Sequence, residues 1–313
     1  MKSSLNTSYH KDRIEWADRL YKEEFKLPHR YVFILTNRCN LRCSFCFQEK
    51  GRIEGSLNTE DWLDVVSQLP SYGHVTLTGG EPFVFKGFET VFNKITEKLS
   101  CNLISNGLLL NEQKIDLLLS KNNFKVLSIS IDDIGNKIRG VPPKNWGESE
   151  KMMQLFIEKR NLLASKSLLD AKTVILDENA EDLFEIYKYC RNFLKIDTHS
   201  FMFLKGHPIQ HADLMFPMDK MKSASKAYRY SKFSTILQQL ELVRKYNISN
   251  GLSSFVHPKF IDLNSSKEIN FEKLQYINST DHDPSLFEKC KAPWASVHIN
   301  VDGNLFPCMA IKM

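Results

Sequence analysis

Three cysteines lie close together near the start of the 313-residue chain, in the eight-residue stretch Cys39-Asn-Leu-Arg-Cys43-Ser-Phe-Cys46. Thiolates are the ligands of iron-sulfur clusters and of many zinc sites. A Cys-rich loop in a chain without a secretory signal is more typical of a metal site than of a disulfide framework. Three thiols leave a coordination position open, which suits iron-sulfur chemistry. The stretch therefore predicts a metal centre, with an iron-sulfur cluster as the first interpretation.

Two other interpretations of the three thiols remain open at this point. On a helix, positions 39, 43 and 46 would form one narrow face, and free cysteines pack as small hydrophobes. Leu41 and Phe45 would then turn away from that face, which disfavours the helix. A structural zinc site would need a fourth protein ligand, and no nearby Cys or His in the sequence completes a compact knuckle.

Composition excludes several classes of protein. The net charge of +5 is spread along the chain as mixed Lys, Glu and Asp, which argues against a nucleic-acid partner. The sequence has no apolar run of membrane-spanning length and no signal-peptide pattern in residues 1–20, which argues against a membrane partner. The seven cysteines cluster toward two regions of the chain, which fits reduced thiols better than paired disulfides. We therefore predict a cytoplasmic protein.

Short apolar runs alternate with helical patterns after residue 30 and predict a parallel sheet. Repeated right-handed crossovers would curl such a sheet into a partial (β/α)6 barrel of the α/β class, with a C-terminal helical and hairpin extension. The predicted strands are 31–35, 74–78, 102–105, 125–131, 171–176 and 198–204. The predicted helices are 61–69, 87–99, 112–120, 149–165 and 180–193.

The pattern divides the chain into four expected regions. Residues 1–29 read as an N-terminal helical extension, too short for a separate leader-peptide-binding domain, and residues 30–206 as the barrel. Residues 207–289 are polar, helical and loop-like, and we expect them on the substrate side. Residues 290–313 contain a hairpin centred on Asp302-Gly303.

The polar motifs of the predicted barrel follow its strands directly, where ligand sites of parallel sheets gather. Gly79 and Gly80 would let backbone approach a ligand, and Glu81 could accept hydrogen bonds from an amine. A tight turn before Pro82 explains the same residues, and an Asp after a strand often caps a turn. The motifs are the thiol loop, Thr78-Gly-Gly-Glu-Pro82, Ser105-Asn-Gly107, Asp132-Asp133 and Lys205-Gly206.

The spacing CxxxCxxC, with Phe45 before the third Cys and Thr-Gly-Gly-Glu-Pro after the next strand, resembles the radical S-adenosylmethionine (radical SAM) family over roughly residues 30–206. The resemblance implies that Cys39, Cys43 and Cys46 bind a 4Fe-4S cluster whose fourth iron takes SAM. It further implies SAM contacts at Phe45 (adenine), Gly79, Gly80 and Glu81 (amine), Asn106, Ser130 and Asp132 (nucleoside) and Arg139 (carboxylate).

The resemblance also implies an activity and its partners. Members of the family reductively cleave SAM to a 5′-deoxyadenosyl radical that removes a hydrogen atom from substrate, with an electron donor such as flavodoxin or ferredoxin. We expect a peptide or protein substrate. Radical oxidation or rearrangement of a small molecule, of aminosugar or nucleotide type, is the alternative. A catalytically dead metal-binding scaffold is the non-enzyme alternative.

The tail carries a second resemblance. Cys290-x12-Gly303-x4-Cys308, with Ala-Pro-Trp before the hairpin, resembles the start of SPASM and twitch extensions, which bind an auxiliary iron-sulfur cluster. A full extension continues with more cysteines, whereas the sequence ends at Met313, so we expect an incomplete auxiliary site. The alternative is that both cysteines are isolated buried thiols. Cys101 and Cys190 lie in a predicted strand and helix and read as packing residues.

Overall fold

One open sheet of nine strands organises the part of the chain that the computed structural model describes. Those residues are 19, 22, 27–46, 56–203, 230–257, 261–270 and 295–306. The order of strands across the sheet is β7-β6-β5-β4-β3-β2-β1-β8-β9. The strands are β1 Arg30–Ile34, β2 His74–Thr78, β3 Ser100–Ser105, β4 Phe124–Ser130, β5 Leu168–Ile175, β6 Thr198–Phe203, β7 Ser254–His257, β8 Ser296–Ile299 and β9 Leu305–Phe306.

Parallel pairing dominates the sheet. Every neighbouring pair from β7 to β8 is parallel, and β9 pairs antiparallel with β8. The carboxyl ends of β1 to β8 therefore lie along one edge, and we call this the carboxyl edge. The open α/β sheet confirms the predicted partial-barrel fold class.

Helices connect the strands and cover one face of the sheet. They are α1 Thr59–Ser67, α2 Phe88–Thr96, α3 Glu112–Leu119, α4 Pro143–Leu162, α5 Leu183–Lys188 and α6 Phe233–Asn250. Asn58 caps α1 in a reciprocal box with Asp61. A π-helical turn extends α5 through Tyr189–Phe193.

The core lies between the helices and alternate residues of the strands. Phe33, Leu77 and Leu103 are fully buried there against Trp62 and Phe92 of the helices. Because side chains alternate along a strand, the intervening residues lie on the opposite face. That face is polar over β4 to β6, where Ser128 and Asp170 are buried.

Two strands come from regions where the sequence predicted none in the barrel sheet. β7 lies within residues 207–289, expected to be helix and loop, and continues the parallel sheet beside β6. The predicted Asp302-Gly303 hairpin is present as β8 and β9, and β8 adds to the barrel by pairing with β1. The helical extension 1–29 and the boundary near Gly206 fall largely or wholly outside the described residues and remain predictions, as does the four-part division of the chain.

Among the described residues, no helix is both long enough and apolar enough to cross a membrane.

Candidate functional site

The three thiols lie on the loop that leaves the carboxyl end of β1. Cys43 is buried, whereas Cys39 and Cys46 are partly exposed. The Cys46 amide donates to the Cys43 carbonyl at 3.1 Å, which folds the second half of the loop into a tight turn. Cys43 and Phe45 pack with Leu176, which follows β5, and Val174 also contacts this group. The loop thus folds back over the carboxyl edge rather than continuing β1 as a helix.

The glycine motif after β2 is joined to the thiol loop by backbone hydrogen bonds. The Gly80 amide donates to Thr36 O at 2.7 Å, and the Glu81 amide donates to Arg38 O at 2.9 Å. A Cβ on Gly80 would lie 2.2 Å from Arg38 O, and one on Gly79 would lie 2.6 Å from Thr36 O. The absence of a side chain at Gly79 and Gly80 therefore allows the two loops to pack against each other. The predicted contact of these glycines with SAM stays a prediction.

Glu81 is fully buried and connects the loops after β2 and β3. Its Oε1 accepts from the Ser105 hydroxyl at 2.8 Å and from the Phe83 amide at 3.3 Å, and its Oε2 accepts from the Asn106 amide at 2.8 Å. Burial raises the pKa of Glu81 to about 7, although these hydrogen bonds oppose the rise. Three of about four acceptor positions are thus occupied by protein donors. Its predicted contact with a SAM amine remains a prediction.

Asn106 carries the connection on to the first thiol. Its Nδ2 donates to Asn40 Oδ1 at 2.7 Å and lies 3.7 Å from Cys39 Sγ. The Leu41 amide donates to the same sulfur at 3.4 Å. Burial raises the pKa of Cys39, and the donated hydrogen bonds from Leu41 and Asn106 oppose that rise. The chain from Glu81 through Asn106 therefore ends in hydrogen-bond donors directed at a sulfur.

A second connection reaches Cys43 from the loop after β4. Arg139 lies in a 3₁₀ turn, Lys137–Arg139, and its Nη1 donates to Cys43 Sγ at 3.8 Å. The guanidinium lies 5.3 Å from the centre of the Phe45 ring. Its Nε is 2.6 Å from Oδ2 of the fully buried Asp132. Burial raises the pKa of Cys43 to about 11, and the Arg139 charge opposes that rise.

Asp132 lies in this loop, and Ser130 is the last residue of β4 before it. Asp132 Oδ1 accepts from the Val174 amide at 2.7 Å, which fastens the loop to β5. The carbonyl of Ser130 accepts from Asn136 Nδ2 at 2.9 Å. Burial raises the pKa of Asp132 and Arg139 opposes the rise. The predicted roles of Ser130 and Asp132 toward a nucleoside, and of Arg139 toward a carboxylate, stay predictions.

The donors around the loop fit a group bound through thiolates. Sulfurs of iron-sulfur ligands accept hydrogen bonds from nearby N–H groups, which tune the cluster. Here the Leu41 amide, Asn106 Nδ2 and Arg139 Nη1 all point at Cys39 or Cys43. In the described part of the chain, no three His, Cys, Asp or Glu side chains converge as one metal ion requires. In a 4Fe-4S cluster, each thiolate binds a different iron.

The other cysteines divide into two groups. Cys101 and Cys190 are fully buried, and burial raises the pKa of both thiols, in keeping with the packing role predicted for them. Cys290 and Cys308 lie outside the described residues, so the predicted auxiliary site stays a prediction.

One buried polar residue at the carboxyl edge was not predicted. Asn300 directly follows β8, is 1% exposed, and neither side-chain atom has a hydrogen-bond partner among the described residues. The signal in the sequence is its position directly after a strand. That position places Asn300 at the carboxyl edge because β8 pairs in parallel with β1.

Comparison with known proteins shows which of them share this sequence and fold. Residues 33–190, just over half of the chain, match the Radical SAM superfamily. The sporulation killing factor maturation protein SkfB of Bacillus subtilis is 33% identical over 170 residues, 53% of this chain and 40% of SkfB. GTP 3′,8-cyclase of Clostridium perfringens is 35% identical over 109 residues, 32% of this chain and 33% of that enzyme.

The fold comparison covers more of the chain. The crystal structure of Streptococcus suis SuiB bound to precursor peptide SuiA superposes with a TM-score of 0.63 at 17% identity, covering 97% of this chain and 64% of that chain. SuiB bound to S-adenosylmethionine gives a TM-score of 0.62 at the same identity, covering 95% of this chain and 64% of SuiB. At this identity the likeness shows the fold. The chain spans less than half of the sequence relatives that it matches.

Proposed function

Because this chain belongs to the radical SAM superfamily, whose members bind a 4Fe-4S cluster and SAM, we propose that it is a radical SAM enzyme that modifies a peptide. Cys39, Cys43 and Cys46 would hold the cluster. The observation that carries this proposal is the set of three N–H donors directed at the sulfurs of Cys39 and Cys43. When bound, the cluster supplies the electron that cleaves SAM to a 5′-deoxyadenosyl radical.

The residues of this chain prepare the thiols for that role. Arg139 and Asn106 stabilise thiolates by donating hydrogen bonds to sulfur. Asp132 fixes the direction of the Arg139 guanidinium, and Glu81 fixes the backbone of Asn106. The backbone pairing of Gly80 with Thr36 sets how closely the two loops meet. Cys43 is buried in contact with Phe45 and Leu176, and this packing keeps water away from the thiol.

A peptide substrate is supported by the relatives. SkfB is a maturation protein of a sporulation killing factor, and the SuiB structure contains a precursor peptide. We also propose that an external electron donor such as flavodoxin or ferredoxin reduces the cluster. The division of the chain into the four regions predicted above is likewise part of the proposal.

The experiment begins with anaerobic reconstitution of the whole chain with iron and sulfide. Dithionite and SAM are added with short peptides encoded beside the gene, each deuterated throughout. A peptide that is a substrate will change mass and transfer deuterium into 5′-deoxyadenosine. Formation of 5′-deoxyadenosine with no transfer from any such peptide would contradict the peptide assignment while leaving the radical chemistry in place.

A small molecule is the second candidate, because GTP 3′,8-cyclase is 35% identical over its matched segment. The same assay with GTP in place of peptide separates the two. Consumption of GTP together with SAM would favour a nucleotide substrate over a peptide.

A further inference from the structure

Two rows of polar residues cross the face of the sheet opposite the helices. The parallel registers of β4, β5 and β6 place each residue beside its partners at the same height. These residues alternate with the apolar residues that pack against the helices, so they share the other face. The lower row consists of Ser128, Asp170 and Thr198, and the upper row, nearer the carboxyl edge, consists of Ser130, Lys172 and Ser200.

Asp170 is the centre of this network. Its Oδ2 accepts from the Ser128 hydroxyl at 2.9 Å, and its Oδ1 accepts from Thr198 at 2.6 Å and Ser200 at 3.2 Å. Lys172 Nζ lies 3.1 Å from Oδ2. A buried carboxylate is costly unless it is paired and hydrogen-bonded, and these four donors satisfy it. Asp170, whose side chain is 5% exposed, is therefore held by the protein alone.

Lys172 differs from its partner in both exposure and bonding. Its side chain is 24% exposed, and its ammonium has three donors, of which one is used by Asp170 among the described contacts. Here the carboxylate is saturated, whereas the ammonium is held in place with donors to spare. Ser130, its register partner on β4, adds a hydroxyl at the same height.

The network lies directly below the thiol loop. Val174 is two residues beyond Lys172 on the same face of β5, a rise of about 7 Å. Val174 contacts the group formed by Cys43, Phe45 and Leu176, and its amide donates to Asp132. Lys172 is thus one layer beneath Val174, which contacts the group around Cys43.

We propose that Lys172, oriented by Asp170, binds a carboxylate of the substrate beneath the thiol loop. This inference rests on the proposed function, because it names a chemical group of that substrate. The negatively charged oxygens of a carboxylate accept from the ammonium donors that Asp170 does not use. A neutral amide offers a single oxygen and no charge, so it binds more weakly there.

The test uses N-acetylglycine as the carboxylate probe, N-acetylglycinamide as its neutral counterpart, and the reconstituted whole chain with SAM. Ligand-observed NMR titration gives the dissociation constants. We expect wild type to bind N-acetylglycine more tightly than N-acetylglycinamide. Lys172→Met should bind N-acetylglycine about tenfold more weakly than wild type does. Lys172→Arg should retain most of the affinity. Lys144→Met, at an exposed position, should match wild type.

Three outcomes would overturn the inference. Equal affinity of wild type for the two probes would show that the site does not recognise the negative charge. Unchanged affinity of Lys172→Met for N-acetylglycine would show that Lys172 does not bind it. If inorganic phosphate binds more tightly than N-acetylglycine and its binding depends on Lys172, the group that the site recognises is a phosphate and not a carboxylate. If Lys172→Met does not fold, the comparison is made with Lys172→Gln and Lys172→Arg.

A separate measurement keeps this inference distinct from the proposed function. Formation of 5′-deoxyadenosine by wild type without substrate tests the proposed function by itself. Absence of SAM cleavage in wild type would defeat the proposed function, whatever the probes do. Cleavage without Lys172-dependent probe binding would defeat this inference alone.

Discussion

Arg139 Nε lies 2.6 Å from Oδ2 of Asp132, whose side chain is fully buried. The same guanidinium donates to Cys43 Sγ, and Asp132 accepts from the Val174 amide of β5. The thiol loop, the loop after β4 and the edge of β5 are therefore joined through one ion pair. Removing the Arg139 charge leaves the Asp132 carboxylate buried without its partner.

Arg139→Met should lower the free energy of unfolding of the apoprotein by about 3 kcal/mol, because breaking a buried pair leaves an uncompensated charge. Asp132→Asn combined with Arg139→Met should recover part of this loss, since the amide needs no counter-ion. Urea unfolding of the four proteins of this cycle measures the coupling. Lys137→Met, at an exposed position in the same turn, is the control. Additive losses in the cycle would show that the pair is not coupled.

Glu81 should make stability fall as the pH rises from about 4.5 to about 7. The pKa of Glu81 is raised from 4.5 to about 7 by burial, so the folded state keeps a proton that the unfolded state releases in this window. The unfolded chain therefore binds fewer protons, and the free energy of unfolding falls with pH, by up to roughly 3 kcal/mol. Glu81→Gln removes the titration, and its stability curve should be flatter by that amount. Parallel curves for the two proteins would refute this assignment.

Gly80→Ala should separate the glycine motif from the thiol loop. The added Cβ would lie 2.2 Å from Arg38 O, a backbone atom that must move. We expect a loss of at least about 2 kcal/mol in unfolding free energy and a lower iron content after reconstitution. Gly147 is the matched control, because a Cβ there meets nothing within 4 Å inside α4. Gly147→Ala should stabilise the protein by about 0.5 to 1 kcal/mol. Equal effects at the two sites would argue against the steric reason.

Iron analysis should separate one cluster from two. A chain with the cluster at Cys39, Cys43 and Cys46 alone should bind about four irons, and a second cluster at the tail would raise this to about eight. Cys290→Ala combined with Cys308→Ala should leave the content near four. Cys101→Ala, at a fully buried packing position, controls for indirect effects. Retention of iron after substitution of all three loop cysteines would place the cluster elsewhere.

Local sequence patterns were sufficient to predict most of the barrel. The run from Tyr31 and the run from His74 are short, apolar and β-branched or aromatic, and both form strands within one residue of the prediction. α4 begins at Pro143 rather than at Ser149 because Pro at the first position starts a helix without a side-chain cap, and apolar periodicity alone does not show it. β7 was missed because a four-residue strand with a polar residue at each end carries little pattern of its own.

Relationships between distant residues were not accessible in the same way. The motif after each strand could be placed at the carboxyl edge, because parallel strands bring their ends together. The register that sets Lys172 beside Ser130 and Ser200 depends on pairing across strands. The contact of Gly80 with Arg38 O depends on how two loops cross. The sequence therefore indicated where the site lies, and the fold showed which residues hold one another.

In the proposed function, the Cys39 to Cys46 loop supports reductive cleavage of SAM. The most direct measurement is the amount of 5′-deoxyadenosine formed from SAM and dithionite by anaerobically reconstituted protein, compared with Cys43→Ala and Cys101→Ala. Wild type and Cys101→Ala should form it, and Cys43→Ala should form none above the protein-free background. A wild-type protein that binds zinc and forms no 5′-deoxyadenosine, or a Cys43→Ala protein that forms as much as wild type, would contradict this role of the loop.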